Sequence, residues 1–131
     1  MRAHIDHVSL NVSDLSKSRS FYNSLLIFLE FEPHPAGGWV NDRNGIWINQ
    51  VDQKYVSVPY HRKHIGMSHL AFRVSSRQDV DDFYTKFLLP KHVPVLYGGP
   101  KEYPEYKTGY YAVYFEDPDR IKLEMLHLSQ K

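Results

Sequence analysis

The sequence predicts an α+β protein made of two tandem βαβββ modules, and two observations carry that prediction. The stretch His7-Val-Ser-Leu-Asn-Val-Ser returns 62 positions later as His69-Leu-Ala-Phe-Arg-Val-Ser, and each copy is followed 14 residues after its histidine by a Phe-Tyr pair, Phe21-Tyr22 and Phe83-Tyr84. In each copy an alternating segment gives way to a helical pattern and then to three short apolar runs divided by turn residues. The 131 residues are about one domain's length, read as module 1 over about 4–52, a linker over about 53–64 and module 2 over about 65–128.

The first element is a strand over Ile5–Val12. Ile5, His7, Ser9 and Asn11 alternate with Asp6, Val8, Leu10 and Val12, the period of a half-buried strand. The second copy sets Met67, His69, Ala71 and Arg73 against Ser68, Leu70, Phe72 and Val74. The apolar triads lie out of phase with both histidines, so the helices are expected on the apolar face and a cleft on the histidine face. Ser13-Asp14 or Ser16 caps a helix from about Lys17 to Leu26, and Ser75 or Ser76 caps one from Gln78 to about Leu88, stopped by Pro90. Strands follow at Phe28–Glu32, Trp39–Asn41 and Ile46–Val51, and again at Val93–Tyr97, Tyr110–Glu116 and Ile121–His127. The segment 98–109, rich in Gly, Pro and Tyr, has no counterpart in module 1 and reads as a substrate-contacting loop.

Composition narrows the function. Sixteen basic residues against 15 acidic ones leave a net charge of +1, which argues against a nucleic-acid arm or a polybasic membrane patch. No apolar run approaches the roughly 20 residues of a membrane span, and Met1-Arg-Ala-His-Ile-Asp has no signal-peptide core, so the expected location is cytoplasmic. The absence of cysteine excludes disulfides, thiolate nucleophiles and sulfur-ligated zinc. Ten tyrosines, seven phenylalanines and two tryptophans are enough to line a cavity as well as fill a core.

The two histidines are repeat-equivalent, and a pseudo-twofold arrangement aims them at a shared centre. Along the last strand Ile121, Leu123 and Met125 form the core face, while Lys122, Glu124 and Leu126 point toward the cleft. Aligning the turns at Asn44-Gly45 and Asp119-Arg120 makes Asn49 the counterpart of Glu124. His7, His69 and Glu124 then form a two-histidine, one-carboxylate ligand set that leaves open positions on a divalent ion, with Fe, Mn, Ni and Zn all compatible. Two neighbouring substrate oxygens fit those positions, with the ion acting as a Lewis acid.

The histidines, the Phe-Tyr pairs and the segment Tyr114-Phe-Glu-Asp-Pro-Asp-Arg-Ile-Lys-Leu-Glu124 together resemble the vicinal oxygen chelate superfamily. That group contains glyoxalase I, extradiol dioxygenases, fosfomycin-modifying enzymes and bleomycin-binding proteins. The resemblance spans about residues 4–128. It implies an incomplete barrel around a central cleft, metal ligands at His7, His69 and Glu124, and a possible homodimer.

Departures from the group sort the activities. Asn49 stands where glyoxalase I-like enzymes carry a fourth, carboxylate ligand, so proton transfer needs another base, such as Glu105 or Glu102. The extradiol pattern places a histidine shortly before Tyr114. Here Tyr106-Lys-Thr-Gly-Tyr-Tyr111 has none, and Tyr110 or Tyr111 is left as proton donor. Ser9 and Tyr114 match the fosfomycin-modifying group, with Lys101, Lys107 and Lys122 as its cations.

The resulting expectation is a metal-dependent lyase, isomerase or dioxygenase acting on a small substrate with vicinal oxygens. Tyr111, Tyr114 and Glu105 are its catalytic candidates, and Ser9, Asn49, Trp39, Trp47 and Lys122 its substrate-binding ones. The alternative is a metal-free binding and sequestration protein of the bleomycin-resistance type.

Overall fold

A computed structural model describes residues 1–129. The chain forms two compact units, Met1–Pro59 and the residues from Tyr60 onward, divided inside the segment 53–64.

In the first unit β1 (His7–Val12) leads into α1 (Leu15–Phe28), then β2 (Glu32–Pro33), β3 (Trp39–Val40) and β4 (Gly45–Gln50). The sheet order is β1-β4-β3-β2, with β1 parallel to β4 and the other pairs antiparallel. The carboxylate of Asp14 caps α1 by accepting from the Lys17 N–H at 3.1 Å. Tyr22, Leu25 and Leu26 of α1 are buried, as are Leu10, Val12, Ile46 and Ile48 on the sheet. Full burial of each such side chain favours folding by about 1.5–3 kcal/mol. His7, Ser9 and Asn11 remain exposed on the other face, as the alternation requires.

The second unit repeats the circuit. β5 (Leu70–Arg73) is followed by α2 (Arg77–Phe83), a π-helical turn at Tyr84–Leu88, β6 (Val95–Glu102), β7 (Tyr110–Glu116) and β8 (Lys122–Leu128). Its order, β5-β8-β7-β6, matches the first sheet strand for strand. Ser76 and Asp79 form a reciprocal capping box at the start of α2. Phe83 stacks on Phe87 at 5.2 Å, and both are buried with Val113, Phe115, Leu123 and Met125.

The duplication extends to the helix ends. Glu30 (φ 64°) closes the first helix in the left-handed conformation, with Phe31 N–H on Leu26 C=O and Glu30 N–H on Ile27 C=O. His92 (φ 53°) closes the second the same way, with Val93 on Leu88 and His92 on Leu89. These are Schellman closures at repeat-equivalent positions.

Strand and helix boundaries differ from the sequence expectation in places. Helix α1 runs on to Phe28, so the strand expected at Phe28–Glu32 shortens to Glu32–Pro33, beyond the Schellman closure. The second helix ends at Leu88, just ahead of Pro90, as the sequence predicts, its last turn widened to a π turn and its closure completed at His92. β6 does not stop at Tyr97. Its register breaks between Leu96 and Lys101, where Tyr97, Gly98 and Gly99 all take positive φ, and pairing resumes to Glu102. The Gly-Gly pair therefore builds a bulge, and the expected loop contracts to 103–109.

Register also corrects the module alignment. Ser9 lies opposite Trp47, whereas its repeat mate Ala71 lies opposite Glu124. Trp47, and not Asn49, is thus the positional counterpart of Glu124.

Candidate functional site

In the second unit β8 carries Glu124 beside the start of β5, and the two parallel neighbours bring Glu124 and His69 together. His69 Nε2 is 3.1 Å from Glu124 Oε2. Glu124 is only 1% exposed, although it lies on the face that the alternation assigns to polar groups. A carboxylate so buried must be satisfied by partners, since desolvation otherwise disfavours its charge. Tyr110 donates its hydroxyl to Glu124 Oε1 at 2.5 Å, and Oε2 is left toward His69.

Tyrosines build the rest of this wall. Tyr114 sits opposite Glu124 across β7 and β8, and its ring is 6.1 Å from His69. Burial, and then the Glu124 charge, raise the Tyr114 hydroxyl well above its usual pKa, and burial with the Glu124 bond does the same for Tyr110. Both therefore stay protonated donors. Tyr103 packs edge-on against Tyr114 and stacks on Tyr106 at 5.5 Å. The Lys122 ammonium lies 4.7 Å from the centre of the Tyr114 ring, a cation–π contact.

In the first unit His7, Ser9, Trp47 and Asn49 line an open depression of about 270 Å³. The Nδ1 of His7 is 2.9 Å from the Asp6 carboxylate. A carboxylate can only accept, so in this contact Nδ1 is the donor and Nε2 points away from Asp6. Asn49 donates to Ser9 Oγ at 2.5 Å, and Trp47 meets His7 edge-on at 5.6 Å. The indole fits only because Gly38 and Gly45 lack side chains, as a Cβ at Gly45 would lie 2.2 Å from the Trp47 ring.

Three expected site residues lie elsewhere. Tyr111 is on the opposite face of β7 from Tyr110, where its hydroxyl donates to Asp81 of α2 at 2.6 Å and its ring carries Arg77 at 4.2 Å. The period-two alternation makes Tyr110 and Tyr114, not Tyr111, share the Glu124 face. Trp39 is buried against the helix side, with Nε1 donating to Asn23 of α1 at 3.0 Å. Glu105 is an exposed residue of the 103–109 loop, and Glu102 pairs with Arg77 at 2.7 Å. Tyr110 was legible in the sequence through its even spacing from Tyr114 and Glu124.

An imidazole nitrogen just ahead of β5 and a carboxylate oxygen on β8, 3.1 Å apart, fit two neighbouring positions on one divalent ion. His7, the third expected ligand, belongs to the first unit. Among the described residues no group of three or more His, Asp and Glu side chains is gathered tightly enough to hold a metal. No helix among them is long and apolar enough to cross a membrane.

The repeated βαβββ circuit, with a histidine at the start of each module and a buried glutamate in the last strand, defines a protein built from two copies of one α+β module. The chain belongs to the Glyoxalase/Bleomycin resistance protein/Dioxygenase superfamily, whose model matches residues 4–125. It is 38% identical to the protein YqjT of Bacillus subtilis over 92% of this chain and 95% of that one. It is 30% identical to the metallothiol transferase FosB of Staphylococcus haemolyticus over 92% of this chain and 81% of that one. A solved structure from Bacillus halodurans aligns with a TM-score of 0.83 and 31% identity, covering 94% of both chains.

Proposed function

We propose that this protein is a metal-dependent enzyme acting on a small substrate with neighbouring oxygens, and that His7, His69 and Glu124 hold its divalent ion. The observation that carries the reading is the 3.1 Å approach of His69 to a glutamate that is 1% exposed. A carboxylate is not kept that far from water without a cation or a proton to balance it. The similarity to enzymes named metallothiol transferases supports transfer of a thiol as the reaction class, ahead of glyoxalase or dioxygenase chemistry. Trp47 at the counterpart of Glu124, exposed Glu105 and the α2-bound Tyr111 supply no carboxylate base of the kind that glyoxalase chemistry requires.

When bound, the ion supplies Lewis-acid polarisation of a substrate oxygen. The chain's own residues do the remainder. Tyr110 orients Glu124 through its 2.5 Å bond. Tyr114, held protonated, donates to an oxygen on which negative charge develops. Lys122 adds positive charge beside Tyr114. Ser9 and Asn49 offer a paired hydroxyl and amide for substrate oxygens, and Trp47 walls the depression next to His7.

Metal analysis tests the proposal. Chelator-stripped protein reloaded with Mn(II), Fe(II), Ni(II) or Zn(II) should retain about one ion per ligand set and melt at a higher temperature. His7→Ala, His69→Ala and Glu124→Ala should each abolish retention. Protein that stays empty and is stabilised only by organic ligands overturns the reading in favour of a metal-free sequestration protein. Mixing His7→Ala with Glu124→Ala chains asks where the set assembles: regained metal means ligands drawn from two copies, and no regain means ligands from one chain.

A further inference from the structure

The second unit holds a depression of about 260 Å³ walled by Tyr60, His61, Arg62, Lys63, Tyr97 and Arg120. None of these residues takes part in the site described above. Arg62 and Arg120 converge on the buried carboxylate of Glu116, Arg62 in direct contact and Arg120 through Nε at 3.4 Å. The same Arg62 nitrogen also reaches the Arg120 carbonyl at 3.3 Å. A guanidinium has five N–H donors in a rigid fork, so these bonds fix Arg62 without exhausting it. Its side chain is 20% exposed, a cation held in place at the pocket wall.

The wall is held from other sides too. The Tyr60 hydroxyl is anchored near the carbonyls of Met67 and Ser68, at 2.8 and 3.0 Å. Tyr97 sits at the β6 bulge with φ 59°, a conformation unusual for a tyrosine, which turns its ring to Tyr114 at 5.4 Å and under Lys122 at 5.0 Å. Arg62 and Arg120 meet Glu116, Lys63 lines the same depression and Lys122 lies over Tyr97, while Asp117 and Asp119 occupy the adjoining turn. Asp117 accepts the N–H groups of Asp119 and Ile121 at 2.8 Å each. Four cations thus stand against three carboxylates, Glu116, Asp117 and Asp119. The Tyr97 hydroxyl registers this, because hydrogen bonding and charge from Lys122, with Arg62 behind, lower its pKa.

We propose that this depression binds the oxyanion of a small ligand, a carboxylate or a phosphate-type group, through Arg62, Lys63 and Arg120, with Tyr97 closing one side. Glu116 alone balances only one of the two guanidinium groups that converge on it. Arg120, 80% exposed, and Lys63 leave cationic groups at the mouth of the cavity, as an oxyanion site requires. Lys122 bridges this pocket to Tyr114 and so to the Glu124 face of the same sheet. On the metal-centre reading proposed above, the substrate therefore carries an anionic tail that lies in this pocket. That extension rests on the metal reading, whereas the anion site itself does not.

The test is an amide-resolved NMR titration of the full chain, stripped of metal by chelator, with inorganic phosphate and separately with malonate. Ionic strength is held constant with chloride. Saturable shifts centred on residues 60–63, 97 and 120 are expected, with affinity falling at least fivefold in a Lys63→Ala, Arg120→Ala double variant. Both side chains are exposed, so the variant should keep its fold, and its spectrum will show whether it does. Preference for phosphate or for malonate assigns the oxyanion. Shifts that never saturate, or an affinity unchanged in the double variant, overturn the proposal. Metal uptake is measured on the same samples. Anion binding without uptake removes the metal reading alone, and uptake without anion binding removes only the pocket.

Discussion

Tyr110 reaches from β7 to Glu124 on β8 and donates its hydroxyl to Oε1 at 2.5 Å, although the residue it faces in register is Leu128. The bond crosses the strand pair diagonally and takes up one oxygen of a carboxylate almost wholly shielded from water. It leaves the other oxygen pointing at His69.

Tyr110→Phe should therefore lower stability by about 1–3 kcal/mol, the range for stranding a buried charged acceptor. Urea denaturation of the metal-free protein checks this. An unchanged midpoint at unchanged slope would mean that Glu124 is satisfied by other means. The variant should also weaken metal retention while leaving its stoichiometry intact, the signature of a positioning role.

Gly45→Ala should displace Trp47, because the new methyl would sit 2.2 Å from the indole. Overpacking of this kind costs about 1–3 kcal/mol. Trp39 is locked by Asn23, so a change in tryptophan fluorescence should report Trp47 alone, and a Trp47→Phe background should remove it. Identical emission in Gly45→Ala and the parent would refute the tight fit.

Ser76→Ala and Asp79→Ala should each destabilise the second unit by roughly 1 kcal/mol, since each breaks one half of the capping box. Their effects should not add, because the two bonds are reciprocal. A full double-mutant cycle by chemical denaturation measures the coupling, and strict additivity would contradict the paired cap.

The Tyr97 phenol should ionise below its usual pKa, because Lys122 and Arg62 favour the phenolate. A group whose pKa is lower folded than unfolded contributes stability above its unfolded value and loses it as pH falls through the folded one. Tyr97 thus adds stability only at alkaline pH. Ultraviolet difference titration of Tyr97→Phe against the parent isolates its phenolate, and Lys122→Met should move that step upward. A step that stays put would detach Tyr97 from Lys122.

The repeat of seven residues around His7 and His69 was enough to read two βαβββ modules, both helix starts and the polar faces of β1 and β8. These follow from periodicity and capping chemistry, which act over a few neighbouring residues and are written in local order. Membership of the superfamily was legible for the same reason, in the histidines and the Tyr114–Glu124 segment.

Contacts between strands decided the rest. That Trp47 and not Asn49 matches Glu124 depends on the β1–β4 and β5–β8 registers, and a slide of two residues preserves every alternating pattern. That Tyr110 holds Glu124 while Tyr111 turns to Asp81 depends on which face of β7 meets α2. The Gly98-Gly99 bulge looked like a loop because its glycines are local, whereas the resumed pairing with Ala112 and Tyr111 is not. The basic pocket joins residues 60–63 to Tyr97 and Arg120, segments with no shared motif, and only folding brings their charges to one place.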